Sequence, residues 1–182
     1  MARNFAQIQT DIWVDDNFLD LTLTEQWVYI HLATHGKLTY CGTMDWRPKR
    51  IVPMAHGLTL GEVTDAAEIL RAKKYIIVDD DTEEVLIRSF IRNDGLLKQK
   101  NMGGAVANAF KDVGSRDLKG VIVHELRRLH KENPDWKSWE YLGEHLQMRS
   151  VDPWENHAGQ DRSERVSIPD SPIGLPIEEP PF

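Results

Sequence analysis

The chain has 182 residues, of which 41% are hydrophobic and 28% charged, enough for one domain with a smaller helical addition and a tail. Its net charge of −7 argues against non-specific binding to nucleic acid, and no apolar run approaches the roughly 18 residues of a membrane span. A single cysteine, Cys41, excludes an internal disulfide, and the start of the chain lacks the apolar stretch of an export signal. We therefore expect a cytoplasmic protein without a membrane partner, in which Cys41 is a small buried side chain.

Two helices are predicted by the same local signal in the first part of the chain. Thr22 and Thr59 are each followed three residues later by a glutamate, Glu25 and Glu62, which is the spacing of a capping box. Apolar residues recur at helical spacing after both threonines. The first helix is expected to stop at Gly36.

Between these helices we predict a short strand over residues 38–41 and a second helix that starts near Pro48. Proline suits a first helical turn, whereas Pro53 does not suit a helix interior, so this helix should be short or kinked. Gly57 then supplies the turn.

Two β-branched runs flank the polar stretch DDDTEE and predict a hairpin over residues 75–91. The order helix, strand, helix, turn, helix, hairpin is that of a winged helix-turn-helix. We therefore predict an α+β fold with a winged helix in residues 1–92.

The remainder divides into a helical region and a tail. Residues 93–146 are predicted to form a basic extension of two or three helices, one of them capped by Ser115 and ended by Pro134. Residues 147–182 are polar, acidic and rich in proline, which is typical of a flexible, disordered tail.

Positive charge is concentrated between residues 88 and 131, where 10 Lys and Arg stand against 4 Asp and Glu. Together with the basic start of the second helix, this region is the candidate phosphate-contacting surface, and its binding should be weakly specific and strongly salt-dependent. The alternative is a solvated face of amphipathic helices. The candidate DNA-binding residues are Arg47, Lys49, Arg50, Thr64, Lys98, Lys100, Arg116, Lys119, Arg127 and Arg128.

The helix that would enter the major groove has an acidic exposed face. Its groove-facing positions are Gly61, Glu62, Thr64, Asp65 and Glu68, and the hairpin tip adds Asp79, Asp80, Asp81, Glu83 and Glu84. A carboxylate can accept from cytosine, but it contributes nothing to the counterion release that drives DNA affinity. The winged helix is therefore also considered as a platform for protein docking or homodimerisation.

Catalytic and metal-binding patterns are weak. His31 and His35 lie four residues apart, but no neighbouring ligand completes a metal site, which favours a pair on a helix surface. The run HELRRLH lacks the histidine spacing of a zinc protease, and no phosphate-binding loop or nucleophile elbow is present. We expect no enzyme activity, no cofactor and no metal.

The phrases IQTDIWVDDNFLDLT, EQWVYIHLATH, AHGLT and FIRNDGLLKQKNMGGAVANAF together resemble winged-helix proteins of actinobacterial phages and prophages, akin to the N-terminal domains of phage replisome organisers. The resemblance covers roughly residues 8–130. It implies a role in phage DNA replication or regulation, with the helix over residues 60–74 as the recognition helix.

The end of the sequence, PIEEPPF, resembles the acidic C-terminal tip of bacterial single-stranded-DNA-binding proteins, especially the actinobacterial form. In that family the tip is a docking peptide for replication and repair proteins. The resemblance implies a partner-docking role for Glu178, Glu179, Pro180, Pro181 and Phe182. The alternative is an unrelated acidic tail that ends in phenylalanine.

Three functions follow from these observations. The first is a phage accessory factor in DNA replication or recombination, which binds DNA or a partner and recruits host proteins through its tip. The second is a transcriptional regulator that binds an operator through the winged helix. The third is a host-takeover factor that binds only proteins by imitating the tip.

Overall fold

The computed structural model describes residues 6–155, and within them the fold is α+β, as predicted. Seven α-helices surround a small three-stranded antiparallel sheet in this part of the chain. The helices are α1 (Asp16–Leu19), α2 (Leu23–Ala33), α3 (Pro48–Ile51), α4 (Leu60–Ala72), α5 (Phe90–Asn93), α6 (Met102–Asp112) and α7 (Arg116–Glu132). The strands are β1 (Thr43–Asp45), β2 (Ile76–Asp79) and β3 (Glu84–Ile87). Short 3-10 helices cover Thr10–Val14, Val52–Met54, Leu96–Lys98, Lys137–Tyr141 and His145–Gln147.

Both predicted capping boxes are present. The Thr22 hydroxyl accepts from the Glu25 N–H at 3.4 Å, and the Glu25 carboxylate accepts from the Thr22 N–H at 2.9 Å. The matching pair at Thr59 and Glu62 has distances of 3.2 and 2.8 Å. Each box satisfies two N–H groups that the first turn of a helix leaves unpaired, which fixes the starts of α2 and α4. Helix α2 ends at Ala33, before the predicted stop at Gly36.

The strand predicted over residues 38–41 is wrong in position. These residues form turns, and the strand β1 starts at Thr43, where its residues pair with β3. Strand β3 lies in the centre of the sheet, with β1 on one side and β2 on the other. The predicted hairpin is confirmed, but its second strand ends at Ile87 and the chain turns into α5.

The second helix is short, as its two prolines predicted. Helix α3 has Pro48 in its first turn and extends only to Ile51, where a 3-10 turn containing Pro53 follows. Gly57 has a φ of +79°, which confirms the predicted turn before α4.

Two apolar cores lie on opposite faces of the sheet. Val85 and Ile87 of β3 pack with α1, α2 and α4, whereas Leu86, between them, packs with α6 and α7. This alternation follows from the two-residue period of a strand. The predicted extension after residue 92 therefore covers the second face of the same sheet, and Cys41 is buried in that second core.

A buried carboxylate connects the two parts. Glu125 of α7 is 1% exposed, and its carboxylate contacts Arg88 at 3.0 Å, Arg128 at 3.5 Å and Arg92 at 3.9 Å. Arg88 follows β3 and Arg92 lies in α5, so the cluster joins the end of the sheet to the middle of α7.

Residues 146–154, here called the C-terminal segment, run along α7. The Val151 N–H donates to the Gly120 carbonyl at 3.0 Å, Arg149 pairs with Asp117 at 3.3 Å, and the Trp154 ring lies 5.3 Å from the Arg88 guanidinium. The flexible tail was predicted to begin at Gln147. This is wrong for its first residues, because the chain packs on the helical region as far as Trp154. Residues 156–182 lie outside the described residues.

Among residues 6–155, no helix combines the length and the apolar character that crossing a bilayer requires.

Candidate nucleic-acid interface

The carboxylates of the hairpin were expected to lie at its tip, where they would repel the DNA backbone. Two of them instead form hydrogen bonds within the chain. The Glu84 carboxylate accepts from the Gly114 N–H at 3.0 Å and from the Ser115 N–H at 2.7 Å. The Ser115 hydroxyl donates to Asp79 at 2.5 Å and also accepts from the Leu118 N–H, as its predicted capping role requires. These acidic side chains lie at the positive end of α7 and hold the hairpin against that helix.

The exposed face of α4 remains acidic. Glu62, Asp65 and Glu68 are exposed, and hydrogen bonds from Thr59 lower the pKa of the Glu62 carboxyl, which favours its charged form. The hydroxyl of Thr64, a candidate DNA contact, donates to backbone carbonyls of its own helix at 2.9 and 3.1 Å. This face does not provide the cations that phosphate contacts require.

Arg71 does not make the exposed face of α4 basic. Arg71, in the last turn of α4, pairs with Glu68 at 3.2 Å and with Asp80 of the hairpin at 3.3 Å. Its guanidinium is therefore already engaged by carboxylates.

The basic residues of α3 have a different environment. Lys49 and Arg50 are exposed and form no ion pair with any residue in 6–155, whereas Arg47 lies 3.5 Å from Asp45. Arg47 and Arg50 both line a cleft of about 520 Å³ beside α2, β1 and the end of α6. The structure thus brings two predicted DNA-binding residues to the rim of one concave surface.

His31, His35 and Lys37 line the same cleft, and sequence reasoning did not connect them with Arg47 and Arg50. The i, i+4 spacing of His31 and His35 was visible in the sequence, but their position in one cleft with Arg47 and Arg50 depends on tertiary structure. Among the described residues, no group of His, Cys, Asp and Glu has the arrangement of a metal site.

The other candidate DNA-binding residues are dispersed. Lys98 and Arg116 are exposed and without ion pairs among residues 6–155. Lys100 pairs with Glu140 at 3.0 Å, and this hydrogen bond raises the pKa of its ammonium group. The Lys119 ammonium lies 3.5 Å from the Lys111 carbonyl and over the Phe110 ring.

Two arginines of α7, both candidate DNA-binding residues, contact other parts of the same chain. Arg127 donates to the carbonyls of Leu146 and Met148, each at 2.8 Å, and so fixes the C-terminal segment. Arg128 contacts the buried Glu125. Both arginines, which were predicted to bind DNA, are therefore already engaged by groups of the same chain.

The candidate docking residues at positions 178–182 lie outside the described residues. No match to this chain was found among protein-family models, curated proteins or solved structures.

Proposed function

We propose that this chain is a non-enzymatic accessory factor of phage DNA replication or recombination, which holds duplex DNA weakly through α3 and recruits partner proteins. The observation that carries the DNA-binding half is a pair of exposed cations on α3, Lys49 and Arg50, which lie next to Arg47 and form no ion pair within residues 6–155. In a helix-turn-helix, the helix before the recognition helix crosses the DNA backbone.

The arrangement of elements supports a winged helix in the first part of the chain. Helix α2, strand β1, helices α3 and α4, and the hairpin of β2 and β3 follow in the order of that fold, with β3 between its two partners. By this correspondence α4 is the recognition helix, and its carboxylates argue against sequence reading in the groove. Binding should therefore be to the backbone, with little specificity.

A salt titration of duplex binding by fluorescence anisotropy tests this proposal. Replacing Lys49 and Arg50 by alanine should weaken binding and reduce the slope of log K against log salt by roughly 2, because two phosphate contacts are lost. The control is Lys131→Ala with Lys137→Ala, which removes the same charge from two other exposed lysines without ion pairs among residues 6–155. Equal losses in both double variants would contradict the assignment to α3.

The operator-binding alternative has a distinct signature in the same assay. If Thr64→Ala and Glu62→Ala change the preference for particular duplex sequences while the α3 variant binds normally, α4 reads the groove and the chain is a regulator. Absence of binding to any nucleic acid at low salt would leave only protein partners.

A protein-docking role has one specific observation in its favour. Ile69 is 42% exposed and lines a shallow surface with Glu25, Asp65 and Glu68 between α2 and α4, and Leu23, at the start of α2, is 82% exposed. Apolar groups surrounded by carboxylates favour a basic protein segment as a ligand. Leu23→Ser with Ile69→Ser should then abolish partner capture and leave duplex binding unchanged.

The recruiting half of the proposal rests on the resemblance of residues 178–182 to the single-strand-binding tip. Deleting Pro180, Pro181 and Phe182 should remove replication and repair proteins from those captured in a host lysate. An unchanged set of captured proteins would refute this half without affecting the DNA-binding half.

A further inference from the structure

The cleft beside α3 has the size of a small-ligand site. Its volume is about 520 Å³, within the range of roughly 300–1,000 Å³ that ligand pockets occupy. Its walls come from the second half of α2, from β1, from α3 and the turn that follows it, and from the end of α6. Several elements that are distant in sequence therefore converge on one space.

The walls carry equal numbers of cations and carboxylates, and two of the cations have no ion-pair partner within residues 6–155. The cleft is lined by the cations Lys37, Arg47 and Arg50 and by the carboxylates Asp45, Glu84 and Asp112. Asp45 is already within 3.5 Å of Arg47, and Glu84 accepts two N–H groups at the start of α7. Lys37 and Arg50 have no ion-pair partner in the part of the chain that the structure describes, so both can bind a phosphate group.

Aromatic rings form the other part of the wall. His31 and His35 line the cleft, with His35 edge-on to His31 at 5.5 Å, and Trp27, which is not among the lining residues, stacks on His31 with centroids 5.1 Å apart and planes 14° from parallel. Burial, followed by the nearby His35, lowers the pKa of the His31 imidazole, so at neutral pH it is an uncharged aromatic ring. Met54, 58% exposed, and Ile51 add apolar surface to the same cleft.

A flat aromatic group joined to a phosphate matches both parts of the wall. We propose that the cleft binds one nucleotide, with its base against His31, His35 and Met54 and its phosphate on Arg50 and Lys37. Aromatic side chains next to cations are the usual means by which proteins hold unpaired bases. The inference rests on the proposed function, because Arg50 also belongs to the α3 surface. Beyond duplex binding by α3, an unpaired nucleotide would then have a separate site in the adjacent cleft.

Two probes distinguish the sources of such a nucleotide. Deoxythymidine monophosphate represents a free nucleotide, and a short fluorescein-labelled oligodeoxythymidylate represents an unpaired base in a strand. Binding of the oligonucleotide but not of the monophosphate would assign the cleft to single-stranded DNA. Binding of both with similar affinity would assign it to a free nucleotide. Binding of neither probe would overturn the inference.

The variants separate this site from the duplex surface. His31→Ala with His35→Ala should weaken oligonucleotide binding roughly tenfold, since stacking on aromatic side chains is lost, and should leave duplex binding unchanged. His56→Ala is the matched control, because His56 is exposed and lies outside the cleft. Wild-type oligonucleotide affinity in the double histidine variant would overturn the inference.

A measurement on the unaltered chain covers the case in which the histidine variant fails to fold. On titration with the oligonucleotide, the imidazole NMR signals of His31 and His35 should shift while that of His56 stays in place. If these signals do not move, the cleft does not hold a base. If the imidazole signals stay in place but duplex binding still depends on Lys49 and Arg50, the proposed function stands without this site. If the unaltered chain binds neither duplex nor single-stranded DNA, both the proposed function and the nucleotide site are refuted.

Discussion

Replacing Glu125 by alanine should destabilise the chain more than any exposed charge change. The Glu125 side chain is 1% exposed and contacts the guanidinium groups of three arginines, and the side chain of one of them, Arg88, is only 16% exposed. Removing one partner of a buried ion pair costs about 3–5 kcal/mol, because the opposite charges remain without compensation. With a urea slope of about 2 kcal/mol per M, a loss of about 4 kcal/mol lowers the unfolding midpoint by about 2 M.

The matched control is Glu132→Ala on the same helix. Glu132 pairs with Arg92, as Glu125 does, but its side chain is 49% exposed, so the loss should stay below about 1 kcal/mol. Glu125→Gln keeps an acceptor for Arg88 and should give an intermediate value. Urea unfolding at neutral pH, followed by far-ultraviolet circular dichroism, measures all three. Similar midpoints for Glu125→Ala and Glu132→Ala would refute the role assigned to burial.

Other predictions concern close packing and the buried thiol. In Gly120→Ala, the new Cβ would lie 2.4 Å from a methyl group of Val151, so the variant should lose about 1–3 kcal/mol in thermal unfolding. Gly61→Ala on α4, where a Cβ meets nothing within 4 Å, should gain up to about 1 kcal/mol. Burial raises the pKa of Cys41 to about 12, so iodoacetamide at pH 8 should alkylate it far more slowly in the native chain than in urea; equal rates would contradict its burial. Because its pKa is raised on folding, the stabilising contribution of the neutral thiol is complete below its ordinary pKa of 9.0 and is lost as the pH rises towards about 12. The free energy of unfolding should fall over that range, and it should fall less in Cys41→Ala.

Local chemistry made the helix starts predictable. Each capping box involves residues three apart, such as Thr59 and Glu62, and depends little on the rest of the fold. The hairpin was predictable for the same reason, since its strands are joined by one short polar turn. The short α3 followed from the fixed geometry of Pro48 and Pro53.

Pairing over long distances was not predictable from local pattern. Residues 38–41 have the composition of a strand, but the partner of β1 is β3, far along the chain, and its register selects Thr43 as the first paired residue. Strand propensity is a weak guide, because it depends on which neighbours a strand obtains.

In the candidate site, the partners of the charged side chains could not be predicted either, because many of them are distant in sequence. The local concentration of positive charge made Arg127 a candidate DNA contact, but it could not reveal that this side chain donates to backbone carbonyls 19 and 21 residues away. The hairpin carboxylates likewise find partners 30 to 36 residues away. Lys49 and Arg50 of α3 kept the exposure expected of them, as did Lys98 and Arg116 elsewhere in the described chain.

Strand β3 contains consecutive residues that serve different parts of the molecule. Glu84 holds the start of α7, Val85 and Ile87 fill one core, and Leu86 fills the other. Random substitution in this strand should therefore be poorly tolerated, since each of its four positions has a packing or hydrogen-bonding role. A strand that joins both halves in this way also makes their unfolding a single cooperative transition rather than two separate ones.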